Sequence, residues 1–186
     1  MRSNIATVKK EMDRFECKRC GACCRERDVP LTLDDIFRLS DFMNMDPDEF
    51  FKAYCEEVAK DSDTVILPFL KKEDDKCCFL EDNICQVNFV KPSVCECMPS
   101  TMFGSLEYLR TQMPRDCAIQ NTKPNNSDDE RRRKSYVVAT MLTSIYYSKY
   151  GTFKFEYARP FIYRILLFKR NREHIYRLMC SEVLVN

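Results

Sequence analysis

The sequence predicts a small, mainly α domain with little β-structure, in which loop-rich cysteine segments are followed by two C-terminal helices. Three observations predict it. Apolar residues recur at helical spacing behind recognisable helix starts. The only strand-like run is short. Twelve cysteines fall mostly in turn-rich stretches between the periodic segments. At 186 residues the chain is long enough to bury a real core. We divide it into a cysteine-rich domain over residues 1–124 and a helical extension over 125–186.

Residues 5–16 carry Ile5, Val8, Met12 and Phe15 at helix-like spacing, which predicts a short leading helix. In VPLTLDDIFRLSDFM, Thr32 caps a second helix and Asp35 stands three residues on. Ile36, Leu39, Phe42 and Met43 form its apolar face. Asp46 then caps a third helix with Pro47 at the first helical position. Phe50, Phe51, Tyr54 and Val58 supply its stripe, with Cys55 inside it as a small core residue. TVILPFL (64–70) predicts a short strand ending at Pro68. From Lys71 to Pro99 the chain is loop-rich, and KEDDKC and EDNIC read as turns presenting Cys77 and Cys85. Residues 118–127 read as a linker. Ser127 with Glu130 makes a capping box for a helix running to Gly151, and a last amphipathic helix spans Pro160 to about Cys180.

Composition excludes several function classes. Thirty Lys and Arg stand against 29 Asp and Glu, a net charge of +1, so no polyanionic partner is favoured and a nucleic-acid role is not expected. Three glycines are too few for a phosphate-cradling loop. No apolar run is long enough to cross a bilayer, so no membrane association is expected. The N-terminal residues lack the apolar stretch of a signal peptide, so the expected compartment is the reducing cytoplasm, where thiols stay free. Neighbouring cysteines such as Cys77 and Cys78 also argue against a disulfide framework.

The informative segment is CKRCGACC, which places Cys17, Cys20, Cys23 and Cys24 within eight residues. Thiolates are the soft ligands that zinc and iron–sulfur clusters select. Cys17-x2-Cys20 has the form of a zinc knuckle, but no second knuckle of that form follows. Cys17-x2-Cys20-x2-Cys23 matches the start of a bacterial ferredoxin run, whose fourth position is here Arg27. The adjacent Cys23 and Cys24 are expected to point to different sites, or to different corners of one cluster.

FECKRCGACC, LTLDDIFRLS and CCFLEDNICQVNFVKPSVCECMP together resemble the cysteine-cluster family of zinc- or iron-chelating domains, which includes flagellin lysine N-methylases. The resemblance covers roughly residues 15–118. It implies metal ligation by Cys17, Cys20, Cys23, Cys24, Cys77, Cys85, Cys95 and Cys117. The pattern R-P-x-x-C-R reads here Lys91-Pro92-Ser93-Val94-Cys95-Glu96, so the second arginine has become acidic. Cys78 and Cys97 are extra thiols beside motif positions, able to replace a neighbour as ligand. Cys180 reads as packing.

Eight thiolates suffice for two four-sulfur sites, or for one cluster with thiols left over. An all-thiolate set favours a [4Fe–4S] cluster, with zinc as the alternative. The resulting expectation is a cysteine-ligated metal protein with a redox or cluster-assisted role. A methyltransferase-like enzyme acting on protein lysine, or a zinc-stapled interaction module, are the alternatives, and a protein substrate or partner goes with them. No catalytic residue is assigned. Other features have plainer readings. His174, the only histidine, sits on a charged helix face. Arg131–Lys134 is a solvated run. Tyr136, Tyr146, Tyr147 and Tyr150 pack the C-terminal helices. Asp34 and Asp35 are helix-start acids favouring the macrodipole.

Overall fold

A computed structural model of the chain describes residues 19–57, 66–97, 110–111, 113–115, 117–121 and 126–170. The leading helix, Val58, His174 and Cys180 lie outside these, as does Cys17. Among the described residues the protein is mainly α, with six α-helices and little strand. The order is α1 (Ala22–Glu26), α2 (Leu33–Phe42), α3 (Pro47–Tyr54), β1 (Cys55–Glu56), β2 (Phe69–Leu70), β3 (Lys72–Glu73), β4 (Lys76–Cys77), β5 (Leu80–Glu81), β6 (Ile84–Cys85), α4 (Ser93–Glu96), a 3-10 turn (Ala118–Asn121), α5 (Asn126–Tyr150) and α6 (Phe155–Arg170).

The helix starts follow their expected chemistry. Thr32 and Asp35 form the capping box of α2, and Asp46 accepts from the backbone N–H groups of Asp48 and Glu49 at the start of α3. Leu33, Ile36 and Leu39 of α2 are fully buried, whereas Phe42 is 48 % exposed and so does not belong to the expected face. One continuous core joins these residues to Phe50 and Phe51 of α3, Val138, Leu142 and Tyr146 of α5, and Ile162, Ile165 and Phe168 of α6. The tyrosines pack as expected: Tyr136, Tyr146 and Tyr147 are buried, and Tyr146 meets Tyr147, Tyr150 and Phe161 ring to ring. Its hydroxyl also accepts the Lys154 N–H at 2.8 Å, which fixes the α5–α6 turn after Gly151 (φ 77°).

Several boundaries differ from the sequence reading. Cys55 is not inside α3; it ends that helix and starts β1, although it is buried as expected. The strand near Pro68 lies after the proline, because Phe69–Leu70 has a partner in β1 (Cys55 opposite Leu70). α5 starts at Asn126, so Ser127 lies within the helix. The expected linker contains the 3-10 turn. α6 begins at Phe155, with Pro160 inside it. Its first N–H is accepted by Asp48 Oδ1 of α3 at 3.0 Å, a cap supplied by a residue 107 positions away and so invisible in the local sequence.

The stretch from Lys72 to Cys85 forms two antiparallel hairpins, with Lys72 opposite Cys77 and Leu80 opposite Cys85. Their two-residue turns, Asp74-Asp75 and Asp82-Asn83, hold positive φ at both central positions, as tight hairpin turns of matching twist require. Asp and Asn tolerate that conformation better than other residues with side chains. The expected turns presenting Cys77 and Cys85 are therefore hairpins. Phe79, Leu80 and Val87 are buried beneath them, and Phe79 and Val87 extend the main core to this edge.

Candidate metal centre

Gly21 sets the course of the first cysteine segment. Its φ of 76° is left-handed, and its carbonyl accepts the backbone N–H groups of Cys24 and Arg25, which closes the first turn of α1. Arg25 then hydrogen-bonds Asn83 in the β5–β6 turn, so α1 is tied to the hairpin carrying Cys85. A Cβ on Gly21 would stand 2.5 Å from Arg25 Nη1 and 2.8 Å from Asn83 Oδ1. Gly21→Ala is expected to cost about 1–2 kcal/mol in urea unfolding from the left-handed backbone. The Arg25–Asn83 contact has to give as well. An unchanged midpoint would contradict this account.

Five thiols surround one cavity of about 90 Å³: Cys23 and Cys24 from α1, Cys77 from β4, Cys85 from β6 and Cys95 from α4. Val29, Leu70, Val87, Pro92 and Val94 supply apolar walls; Arg27, Asn88 and Lys91 stand among the thiols, with Asp28, which pairs with Lys72 at 2.8 Å. Among the described residues no three Cys, His, Asp or Glu side chains already meet at the spacing of a single ion. The thiols ring a space instead of converging on a point. The Cys23 and Cys24 sulfurs lie 4.0 Å apart and face the same cavity, closer company than their adjacency in sequence leads one to expect.

The thiols are not alike. The hydrogen bond with Cys24 lowers the Cys23 pKa to about 6 against the opposing effect of burial, with Arg27 and Lys91 adding attraction for the thiolate. The same hydrogen bond raises Cys24 well above the ordinary thiol range. Cys77 is lowered to about 7, chiefly because Cys78 donates to it. Burial raises Cys95, and the nearby thiols Cys23, Cys77 and Cys85 push it in the same direction. One partner in each adjacent pair is thus poised as a thiolate, the form that binds metal.

Cys20 and Cys117 are not in this ring. They hydrogen-bond each other beside a small second core of Ala22, Met113 and Ile119, and Cys23 packs against it as well. Cys23 therefore belongs to both groupings. Cys78 supports Cys77 and does not line the cavity. Cys97 is buried, with its thiol raised to about 11 by burial, and also lies off the cavity.

A family model described as CxxCxxCC, putative zinc- or iron-chelating domain, matches residues 16–134. The chain belongs to this family. No curated protein and no solved structure matches it. The CxxCxxCC match runs past the last motif cysteine into α5, where Arg132 donates to the carbonyl of Glu96 at 3.3 Å beside Cys95. The start of α5 is thus joined to the cysteine region. Glu96, which stands where the resemblance expects arginine, pairs with Arg38 of α2 at 3.3 Å.

The residues that sequence reasoning missed are the cations and the anchor of α4. Arg27 was noted only as a break in a ferredoxin-like run. Asp34 and Asp35, read from the sequence as helix-start acids favouring the macrodipole, stand at the start of α2 and are fully buried. Lys169 pairs with Asp34, and Arg38 pairs with Asp35 at 2.7 Å. Buried carboxylates require such partners. The only local signal was two acids at a helix start followed by an arginine one turn on.

Proposed function

We propose that the protein holds an iron–sulfur centre and works through it, in a redox or cluster-assisted role. The observation that carries this reading is the ring of five thiols from four separate chain segments around one cavity. A cavity of about 90 Å³ exceeds by several-fold the roughly 10–15 Å³ that one water needs, so it suits a polyatomic group better than a lone ion. The donors are sulfur, as [4Fe–4S] clusters require. Cys24, Cys77, Cys85 and Cys95 would supply one set of four. Cys17, Cys20, Cys23 and Cys117 would supply a second, with Cys23 between the two. Arg27 and Lys91 beside the ring offset the negative charge that thiolate ligation accumulates. When bound, such a cluster supplies one-electron chemistry. The role calls for a protein partner, and exposed Ile84 and Phe89 adjoin the cavity residues Cys85 and Asn88 in sequence.

One observation favours zinc as a second reading. Zinc–sulfur bonds of about 2.3 Å in a tetrahedron put sulfurs about 3.8 Å apart, close to the 4.0 Å between Cys23 and Cys24. A zinc site would make the domain a stapled interaction module.

Elemental analysis with a visible spectrum on protein purified without oxygen separates the two. Iron and sulfide at about four each per cluster, with a broad band bleached by dithionite, is the expected result. Colourless protein with stoichiometric zinc would overturn the iron–sulfur reading.

A further inference from the structure

The helix that carries Cys95 is only four residues long, far below the length at which a helix sustains itself. Its placement must come from outside, and the contacts that hold it converge on one side chain. Asp35 has no exposed surface. Its Oδ1 accepts the Ser93 N–H at 3.0 Å, the Ser93 hydroxyl at 2.7 Å and Arg38 Nη2 at 2.7 Å. Its Oδ2 accepts the Thr32 N–H at 3.0 Å and lies 2.8 Å from the Thr32 hydroxyl, whose one proton it shares with Asp34 Oδ1 at 2.7 Å. One carboxylate therefore closes the start of α2 and satisfies an otherwise unpaired N–H at the start of α4. Ser93 stands two residues before Cys95. Arg38, oriented by the same carboxylate, reaches the Lys91 carbonyl at 3.4 Å and Glu96 at 3.3 Å, so it brackets α4 from both ends. Lys169 adds a bond to the Ser93 hydroxyl at 3.0 Å.

We infer that Asp35 is the positioning residue for Cys95, fixing the short helix so that this sulfur enters the ring. The inference rests on Cys95 being a metal ligand. Asp35 itself does not line the cavity. Its carboxylate supplies what a backbone cap cannot: two oxygens that together receive donors from two helix starts and an arginine. Asparagine in its place has one acceptor oxygen and an NH2 group that would face donors.

The test is a double-mutant cycle on the full chain, kept anaerobic and titrated with cobalt(II) as a thiolate-binding probe. Affinity is read by chelator competition, and the sulfur-to-cobalt absorption per metal reports the number of thiolates bound. Asp35→Asn is expected to weaken binding about 10- to 100-fold, as loss of an outer-shell partner does, and to lower the charge-transfer intensity as Cys95→Ser does. In the Cys95→Ser background the same change is expected to have little further effect. A merely structural role would weaken binding equally in both backgrounds, and that result would overturn the inference. Ser93→Ala keeps the backbone N–H bond and loses only the hydroxyl, so it repeats the cycle in milder form if Asp35→Asn does not fold. A Cys95→Ser variant with unchanged cobalt binding would instead remove Cys95 from the ligands and take the inference with it.

Discussion

Stripping metal from the loaded protein is expected to abolish amide protection in α1 and across the two hairpins of residues 72–85, while α2, α5 and α6 keep theirs. Each element carrying a cavity thiol is short: five residues in α1, two in β4, two in β6, four in α4. Isolated two-stranded hairpins are marginal in water, and helices of this length do not persist alone. The long helices, by contrast, share a continuous apolar core centred on Leu33, Ile36, Tyr146 and Ile165. Structural metal sites contribute about 10–16 kcal/mol in small thiolate-rich domains, as much as the whole stability of an ordinary domain. Removing that term should release the cysteine region first. Hydrogen exchange with mass spectrometry, run with and without chelator under anaerobic conditions, gives the answer. Equal loss of protection in every helix, or no loss anywhere, would refute the picture of a self-sufficient helical core carrying a metal-ordered edge.

Lys169→Met should destabilise the protein by about 3 kcal/mol near neutral pH, the low end of the range for stranding a buried charge. Asp34 has no exposed surface, and Lys169 is its closest cation; the other, Arg38 Nε, is 3.7 Å away and is also committed to Asp35 and Glu96. Burial raises the Asp34 pKa, and the Asp35 charge raises it further. The sign of the pH dependence follows. The variant's deficit is the cost of an ionised Asp34 without its cation, so it is full above the folded pKa and shrinks as pH falls through it. Asp35 behaves in the opposite sense. Burial pushes it up, but Lys169, Arg38 and its hydrogen bonds outweigh burial and hold it below the ordinary carboxyl value. Its stabilisation is present above the unfolded value of about 3.9 and is lost as pH falls through the folded one. Urea unfolding of both proteins at a series of pH values from neutral into the acid range should therefore show a gap that narrows as pH falls. A constant gap would place the cost of the substitution in lost packing.

The helix starts were legible because their signals are local. Thr32 with Asp35, and Asp46 with Pro47, act within one turn, and both caps form where the pattern put them. What lies over a cap is not local. Nothing in LTLDDIF says that α4 and Lys169 cover Asp34 and Asp35, since those partners come 58 and 135 residues later. The same distance effect hid the start of α6, capped by Asp48, and the strand after Pro68, which exists only because Cys55–Glu56 pairs with it. At the site, the residue type and spacing announced metal chemistry, and the family match supports that. The grouping of thiols was not available from order along the chain. Cys24 and Cys95 are neighbours across a cavity, whereas Cys78, next to Cys77 in the chain and hydrogen-bonded to it, does not line it.

The brevity of the cysteine-bearing elements also bears on how long a copy of this protein survives in a cell. Proteases act on the fraction of molecules whose chain is locally open, and that fraction follows the local opening free energy. A molecule lacking its metal would open the two hairpins to cleavage more often than a loaded one. Its turnover would then track metal supply, with unloaded copies cleared ahead of loaded ones and no dedicated sensor needed.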